Sequence, residues 1–381
     1  MFSIFSAVNP VAFEIGNLEI RWYGIVIVLG MIMGLAYACR QAKVINLDVD
    51  DAIELFLWIV PLAVVCARLL YVFVRPDEYF TKEIWSDFGK GFVNMIAIWE
   101  GGLTIIGGIL GGIVGGIFFT LRHRKTVNFG NVADIVIVPL LTGQIVGRLG
   151  NFFNQEAFGI PIDNPSLQTF PFAVYIDNPS GVGDKHFELV QEALDKGQEL
   201  FGERAYWFAA TFFYEMVWNF IGVVFCYIVW KKGSTKKYPG LLLIFYLFWY
   251  CLGRAWIDSI RMDGLLVTQI ACGIVAPLAL LAMVGYVLLR NSQLSYRRIR
   301  ALKEANELNG AQLTVYDVKN YERIGKIMKN DKNPLRIFYG MKKPYLDVNF
   351  DELDYYHVPK DYKKIFKDAK QLEYGLRPLE K

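Results

Sequence analysis

Charge is scarce in this 381-residue chain: Asp, Glu, Lys and Arg make up 20% of it, against 54% hydrophobic residues. With a mean hydropathy of +0.30 the average residue prefers hydrocarbon to water, which excludes a disordered chain and an ordinary water-soluble domain. Cysteine is sparse too. Cys39, Cys66, Cys226, Cys251 and Cys272 all sit in apolar runs without CxxC or CxxH spacing, so neither a disulfide framework, a zinc site nor a reactive thiol is implied. Only three histidines occur, His123, His186 and His357. The opening MFSIFSAVNPVAFEIGN has neither the basic start nor the small-residue cleavage site of a secretory signal, so the chain is expected to stay in the membrane through its own spans. No fixed-period repeat is visible, which argues against a solenoid or the doubled halves of many transporters.

Long apolar sequence, by contrast, is plentiful. Runs long enough to cross a hydrocarbon core fall at residues 22–39, 52–74, 94–121, 129–147, 207–230, 240–260 and 267–289. They predict an all-α polytopic membrane protein of about seven transmembrane helices, with its termini on opposite sides. Arg40 and Lys43, Arg122, Arg124 and Lys125, Lys231, Lys232, Lys236 and Lys237, and Arg290, Arg297, Arg298 and Arg300 flank the runs on one side. That side is expected to be the cytoplasm, giving a multi-pass protein of the plasma (inner) membrane with an extracytoplasmic N-terminus and a cytoplasmic C-terminus. Residues 157–206 are too polar to cross and are expected to form a small extracytoplasmic cap. Glycines 101, 102, 107, 108, 111, 112, 115 and 116 give Gly-x-x-x-Gly-x-x-x-Gly along the third span, a pattern for close backbone contact with a neighbouring helix. Residues 1–290 are read as one transmembrane domain. Residues 291–381, with 19 Lys and Arg against 13 Asp and Glu, are read as a basic, Tyr-rich cytoplasmic tail attracted to anionic lipid.

Ionisable groups inside spans are functional candidates, because a bilayer offers them few partners. In FYLFWYCLGRAWIDSIRMDG, Tyr250, Arg254, Asp258 and Arg261 lie at i, i+4, i+8 and i+11, on one arc of a helix. An Arg–Asp pair would account for Arg254 and Asp258 but leaves Arg261 over. The fourth span ends in GQIVGRLGNFFNQEAFG, where Gln144, Arg148, Asn151 and Gln155 share a side and Glu156 follows. Two arginines from different helices suit a phosphate, since each guanidinium presents paired donors that match phosphate oxygens. A phospholipid head group is the expected ligand. Thr211, Glu215 and Asn219 read equally well as interhelical hydrogen-bonding glue or as part of that site. Arg21, Trp22 and Tyr23 read equally well as an interfacial aromatic belt or as site residues.

These residues resemble the prolipoprotein diacylglyceryl transferase family. The stretch Gly147-Arg148-Leu149-Gly150-Asn151-Phe152-Phe153-Asn154-Gln155-Glu156 is similar to that family's long signature almost throughout. Further matches follow in order: Arg21-Trp22-Tyr23-Gly24, Ala67-Arg68 with Tyr71, Glu100-Gly101-Gly102-Leu103, Gly107-Gly108, Tyr214-Glu215, Tyr250 with Gly253-Arg254, and Arg261-Met262-Asp263. The resemblance covers about residues 15–289 and not the tail. It implies transfer of the diacylglyceryl unit of phosphatidylglycerol to the lipobox cysteine of prolipoproteins, with glycerol 1-phosphate released. Arg148 and Arg254 would then hold the phosphate and stabilise the charge growing on it. Tyr23 and Tyr250 would act with them, supplying hydroxyls near the glycerol. Asn151, Asn154, Glu156, Asp258, Arg261 and Glu215 would bind or orient the phosphatidylglycerol head group.

The attacking sulfur belongs to the substrate, so no enzyme nucleophile, cofactor or metal is implied. Phosphatidylglycerol, lipobox segments and the bilayer are the expected partners, nucleic acid is not, and a monomer is expected. The chain departs from the family pattern at three places: Ile106 stands where the family has a histidine, Ala209-Ala210 where it has His-Pro, and Asp258 where it usually has Glu. These departures leave open a non-catalytic phospholipid-binding paralogue, or a transferase in which arginines promote thiolate formation with Glu215, Tyr23 or Tyr250 relaying the proton.

Overall fold

A computed structural model of the chain describes residues 11–16, 18–45, 47–80, 88–98, 102–124, 127–176, 187–200, 203–231, 237–264, 266–304, 317 and 320–324. Glu100, Gly101, Lys125, Lys232, Lys236, His186, His357 and most of the tail lie outside them. Contacts divide the chain into two compact units, Met1–Thr235 with Pro239–Ala279, and Lys236–Tyr238 with Leu280–Lys381.

The first unit opens with an antiparallel hairpin, β1 (Val11–Ile15) and β2 (Leu18–Arg21), leading directly into helix α1 (Trp22–Ala42). There follow α2 (Val49–Val74), the single turn α3 (Pro76–Tyr79), the short helix α4 (Phe88–Ile96), α5 (Ile105–Arg122) and α6 (Phe129–Phe153). After β3 (Ala173–Ile176), α7 (Phe187–Lys196), β4 (Gln198–Leu200) and β5 (Glu203–Ala209) come α8 (Thr211–Lys231), α9 (Leu241–Ile257) and the start of α10 (Leu266–Glu304), whose residues from Leu280 on belong to the second unit. Five of these helices are long and apolar enough to cross a membrane, and α5 and α9 are shorter apolar helices. Their outward faces carry rows such as Val28, Leu29 and Ile32, each more than half exposed, a surface that water would not tolerate and lipid satisfies. The chain is therefore a helical, polytopic membrane protein.

Small residues set the helix spacings. A Cβ at Gly111 would stand 2.6 Å from the carbonyl carbon of Leu62 and 2.7 Å from the Cα of Ala63, so α5 lies backbone against backbone on α2. Gly107 meets Ala67 and Gly115 meets Trp58 and Ile59 in the same way, whereas Gly108 and Gly112 have room. Gly30 and Gly34 let α1 close on Val146 and Pro139 of α6.

The third apolar run is not one helix. It divides into α4 and α5 because Gly102 adopts φ +67°, and because Arg68, 3% exposed, draws three backbone carbonyls to itself. Its Nε donates to Met95 O at 3.0 Å, Nη2 to Asn94 O at 2.8 Å and Nη1 to Gly102 O at 3.3 Å. Thr104 then caps α5 and donates to Ala67 O at 3.1 Å.

The described residues between 157 and 209 build a small α/β element with the antiparallel sheet order β3-β5-β4. Phe158, Val174, Ile176, Val190, Phe208 and Met262 form its core. Tyr206 donates to Asp163 at 2.6 Å, a bond that holds the phenol above its ordinary pKa because ionisation would set it against the carboxylate. In the second unit, Tyr296 and Tyr321 stack at 4.9 Å beside buried Ile299 and Ile324, and Ser295 donates to Asp317 at 2.9 Å.

Candidate active site

Three helices bring the polar residues together. Asp134, buried in α6, accepts from Gly240 N at 2.8 Å and Leu242 N at 2.9 Å, capping α9 with a carboxylate where the helix has unpaired N–H groups. Higher up, Trp218 of α8 and Trp249 of α9 stack at 4.1 Å, and each indole donates to the other's backbone carbonyl at 3.0 Å. Gly222 and Gly253 leave room for those rings. This lock presents Glu215 of α8 to Arg254 of α9, with Arg148 of α6 facing both.

Glu215 is the meeting point. Its Oε2 lies 2.5 Å from Arg148 Nη2, and its Oε1 lies 2.5 Å from Arg261 Nη1 and 3.3 Å from Arg254 Nη1. Arg254 also lies 3.0 Å from Asp258 Oδ1, and Arg261 is held by Asp263 through Nε at 2.8 Å and Nη2 at 2.5 Å. Arg148 Nη1 donates to Asn151 Oδ1 at 2.9 Å, and Glu156 accepts from Asn151 Nδ2 at 2.8 Å and Asn154 Nδ2 at 3.3 Å. The three arginines are not equivalent. The side chains of Arg148 and Arg254 are 22% and 19% exposed, while those of Arg261 and Glu215 are 6% and 8% exposed. Arg148 and Arg254 can reach a ligand, and Arg261 is a buried brace. Arg254 Nε is buried without an acceptor among the described residues.

Tyr23 and Tyr250 border the cluster. Tyr23 packs on Gly150, where a Cβ would come within 2.8 Å of the ring, and it feels the charges of Glu156 and Arg148. Tyr250 feels those of Arg254, Glu215 and Arg148, and its ring stacks on Tyr246 at 5.7 Å. Tyr246 accepts from Gln144 Nε2 at 2.7 Å. Gln144, one helical turn from Arg148, also lines an apolar cavity of about 380 Å³ among α1, α2 and α6, together with Gly30, Gly34, Ala38, Leu55 and Gly143.

Arg148, Asn151, Asn154, Glu156, Glu215, Arg254, Asp258 and Arg261 thus come together as one network, although two local expectations change. The helix carrying Arg254 ends at Ile257, so Arg261 is not on its next turns. Instead Ile260 O accepts from Ile160 N at 2.9 Å and Met262 N donates to Phe158 O at 3.1 Å, so a strand-like bridge delivers Arg261. Likewise α6 ends at Phe153, and Gln155 and Ala157 take left-handed φ of 53° and 58°, turning Glu156 back onto Asn151. Gln155 therefore leaves the face shared by Gln144 and Arg148. Thr211 serves as glue, donating to Ala157 O at 2.7 Å. Ile106 is 67% exposed on the first turn of α5, and Ala210 is fully buried among the residues packed under β5.

Asp134 was not singled out from the sequence. A lone acid six residues into an apolar run was the available signal. Nor does sequence spacing reveal that one carboxylate serves three guanidiniums.

The family described as prolipoprotein diacylglyceryl transferase matches residues 10–290. A relative from Lysinibacillus sphaericus is 35% identical over 258 residues, which cover 68% of this chain and 82% of the relative. One from Clostridium novyi is 31% identical over 286 residues, covering 75% and 96%, and one from Thermosynechococcus vestitus is 34% identical over 278 residues, covering 73% and 90%. All three carry the name phosphatidylglycerol–prolipoprotein diacylglyceryl transferase. With this match over most of its length, and with a membrane-embedded arginine cluster at the heart of the matched region, the chain belongs to the prolipoprotein diacylglyceryl transferase family.

Proposed function

We propose that the chain transfers the diacylglyceryl unit of phosphatidylglycerol to the lipobox cysteine of prolipoproteins. The observation that carries this reading is the convergence of Arg148, Arg254 and Arg261 on one buried carboxylate among apolar helices. The thiol sulfur attacks the glyceryl carbon as its C–O bond to phosphate breaks. The electron pair goes to the phosphate oxygen, glycerol 1-phosphate leaves, and the thiol proton passes to water. Arg148 and Arg254, the two accessible guanidiniums, take the phosphate oxygens and meet the charge that grows there.

Asn151, held by Glu156, to which Asn154 also donates, fixes the rotamer of Arg148, while Asp258 does the same for Arg254. Tyr23 and Tyr250 stand beside them, with hydroxyls toward the glycerol. The thiol has a reference pKa of about 8.5, and two guanidiniums lower it, so thiolate forms without an imidazole. The apolar cavity below Gln144 takes an acyl chain of the lipid. In this reading residues 1–290 are the catalytic domain of a monomer with about seven spans. The 157–206 element caps the site outside the plasma membrane, and the N-terminus lies outside and the tail inside.

The test uses purified protein in phosphatidylglycerol vesicles with a fluorescent lipobox peptide, following the modified peptide by mass. Arg148→Ala and Arg254→Ala are each expected to lower transfer by about 10²–10³-fold while still inserting. Full transfer by both variants overturns the reading.

A further inference from the structure

Glu215 carries negative charge into the place where a phosphate is to be bound, which makes it a rival of the phosphate for the guanidiniums and not a ligand to it. We propose that Glu215 is an internal competitor: it holds Arg148 and Arg254 in position, yields them to the phosphate, and recaptures them as glycerol 1-phosphate leaves. This inference rests on the transferase reading above and concerns the turnover of that same site.

The geometry separates a fixed part from an exchangeable part. Arg261 is fixed, since Asp263 grips it with two bonds, its neighbours Ile260 and Met262 pair with Ile160 and Phe158, and its side chain is 6% exposed. Its contact with Glu215 Oε1 at 2.5 Å anchors the carboxylate on the side away from the ligand. Arg148 and Arg254 are the exchangeable pair, because each has a second partner on its own side, Asn151 at 2.9 Å and Asp258 at 3.0 Å. When either guanidinium turns from Glu215 to a phosphate oxygen, it keeps one hold and Glu215 keeps Arg261. No charge is stranded in the bundle at any stage, which is the condition for moving ions in a medium of low dielectric.

Charge counting gives the device a direction. The lipid phosphate is a diester bearing one negative charge, whereas glycerol 1-phosphate is a monoester that takes up a second near neutral pH. The arginines hold the product more strongly than the substrate, so a site made of arginines alone would be blocked by its own product. A resident carboxylate on the same guanidiniums weakens both anions and offsets the departure of the second. Glu215 is thus a positioning residue that acts through Arg148 and Arg254.

The experiment compares the full chain with Glu215→Gln in phosphatidylglycerol nanodiscs, measuring kcat and KM for peptide modification and the inhibition constant for added glycerol 1-phosphate. The amide keeps the shape and one acceptor but removes the charge. The expected result is an inhibition constant lowered by about tenfold, with kcat reduced and KM for phosphatidylglycerol unchanged or lower. A carboxylate that merely supported the fold would raise KM and weaken inhibition when removed, and that result overturns the proposal. Glu215→Asp retracts the charge by one methylene, is expected to shift inhibition in the same direction by less, and carries the test if the amide variant fails to fold. Absence of transfer by the unaltered chain overturns the transferase reading itself. Transfer with no tightening of product inhibition overturns the competitor alone.

Discussion

Replacing Gly111 by Ala adds one methyl group at the tightest point between α2 and α5. That carbon would stand 2.6 Å from the Leu62 carbonyl carbon and 2.7 Å from Ala63 Cα. Ordinary carbon contacts lie at about 3.5–4.0 Å, so the two helices must part by about 1 Å. Both neighbours are backbone, and no rotamer change relieves the overlap. Overpacking of this kind costs about 1–3 kcal/mol. Separation at Gly111 also loosens the contacts at Gly107 and Gly115 on the same face, which places the cost at the upper end. Against it stands a gain in helix propensity of about 1 kcal/mol for Gly→Ala. The net expectation is about 2 kcal/mol of destabilisation, read as a fall of about 5 °C in the unfolding midpoint in detergent micelles. Gly112 supplies the control. Its added Cβ meets only Ile59 Cγ2, at 3.8 Å, so Gly112→Ala should leave the midpoint unchanged or raise it. Equal effects of the two substitutions would refute the reasoning, because composition and propensity are identical and only the contact differs.

Asp134→Ala removes the acceptor for Gly240 N and Leu242 N and should destabilise the chain by about 2–4 kcal/mol, measured by unfolding in micelles; Asp134→Asn, which keeps one acceptor, should cost less. Gly143→Leu projects a side chain into open space beside the apolar cavity, so its ratio of activity on long-chain over short-chain phosphatidylglycerol should fall by about tenfold, taking about 0.8 kcal/mol per displaced methylene over about two methylenes. Equal loss on both lipids would argue against an acyl chain there. Tyr321→Ala deletes a buried stacking partner of Tyr296 in the second unit, and should expose residues 291–304 and 320–324 to protease while leaving peptide modification within about twofold, since the family match ends at residue 290.

How much of this was readable beforehand follows from which physics acts locally. Most apolar helices were readable, because long apolar runs have one meaning in water and another in lipid, and α1, α2, α6, α8 and α9 begin or end within a few residues of the expected positions. The arginines of the polar cluster were readable because a bilayer offers charged groups few partners, whereas Glu215 read equally well as interhelical glue. Arg261 and Gln155 show the limit. Helical periodicity placed each on a helical face, but the chain leaves the helix at Ile257 and at Phe153, where pairing with residues 158–160 and left-handed turns take over. Those are contacts between segments far apart in sequence, and no local pattern announces them. Arg68 is the same lesson in reverse. It was visible only as part of a resemblance, yet it breaks the third apolar run by gathering the carbonyls of Asn94, Met95 and Gly102.

The deeper constraint on this site is neutrality. A bilayer protein that must bind a phosphate needs cations at membrane depth, and isolated guanidiniums there would cost several kcal/mol each. The cluster meets that cost with Glu215, Asp258 and Asp263, three carboxylates in contact with three arginines, arranged so that each arginine has Glu215 on one side and a carboxylate or the Asn151 amide on the other. Such an arrangement folds without the lipid and so does not wait on substrate to become stable. It also means that binding is an exchange of anions on Arg148 and Arg254, not the arrival of charge at a bare pair. Affinity is then set by the difference between two ion pairs rather than by the strength of one. That difference is small by construction, and a small difference is what lets a highly charged product depart from a site of low dielectric.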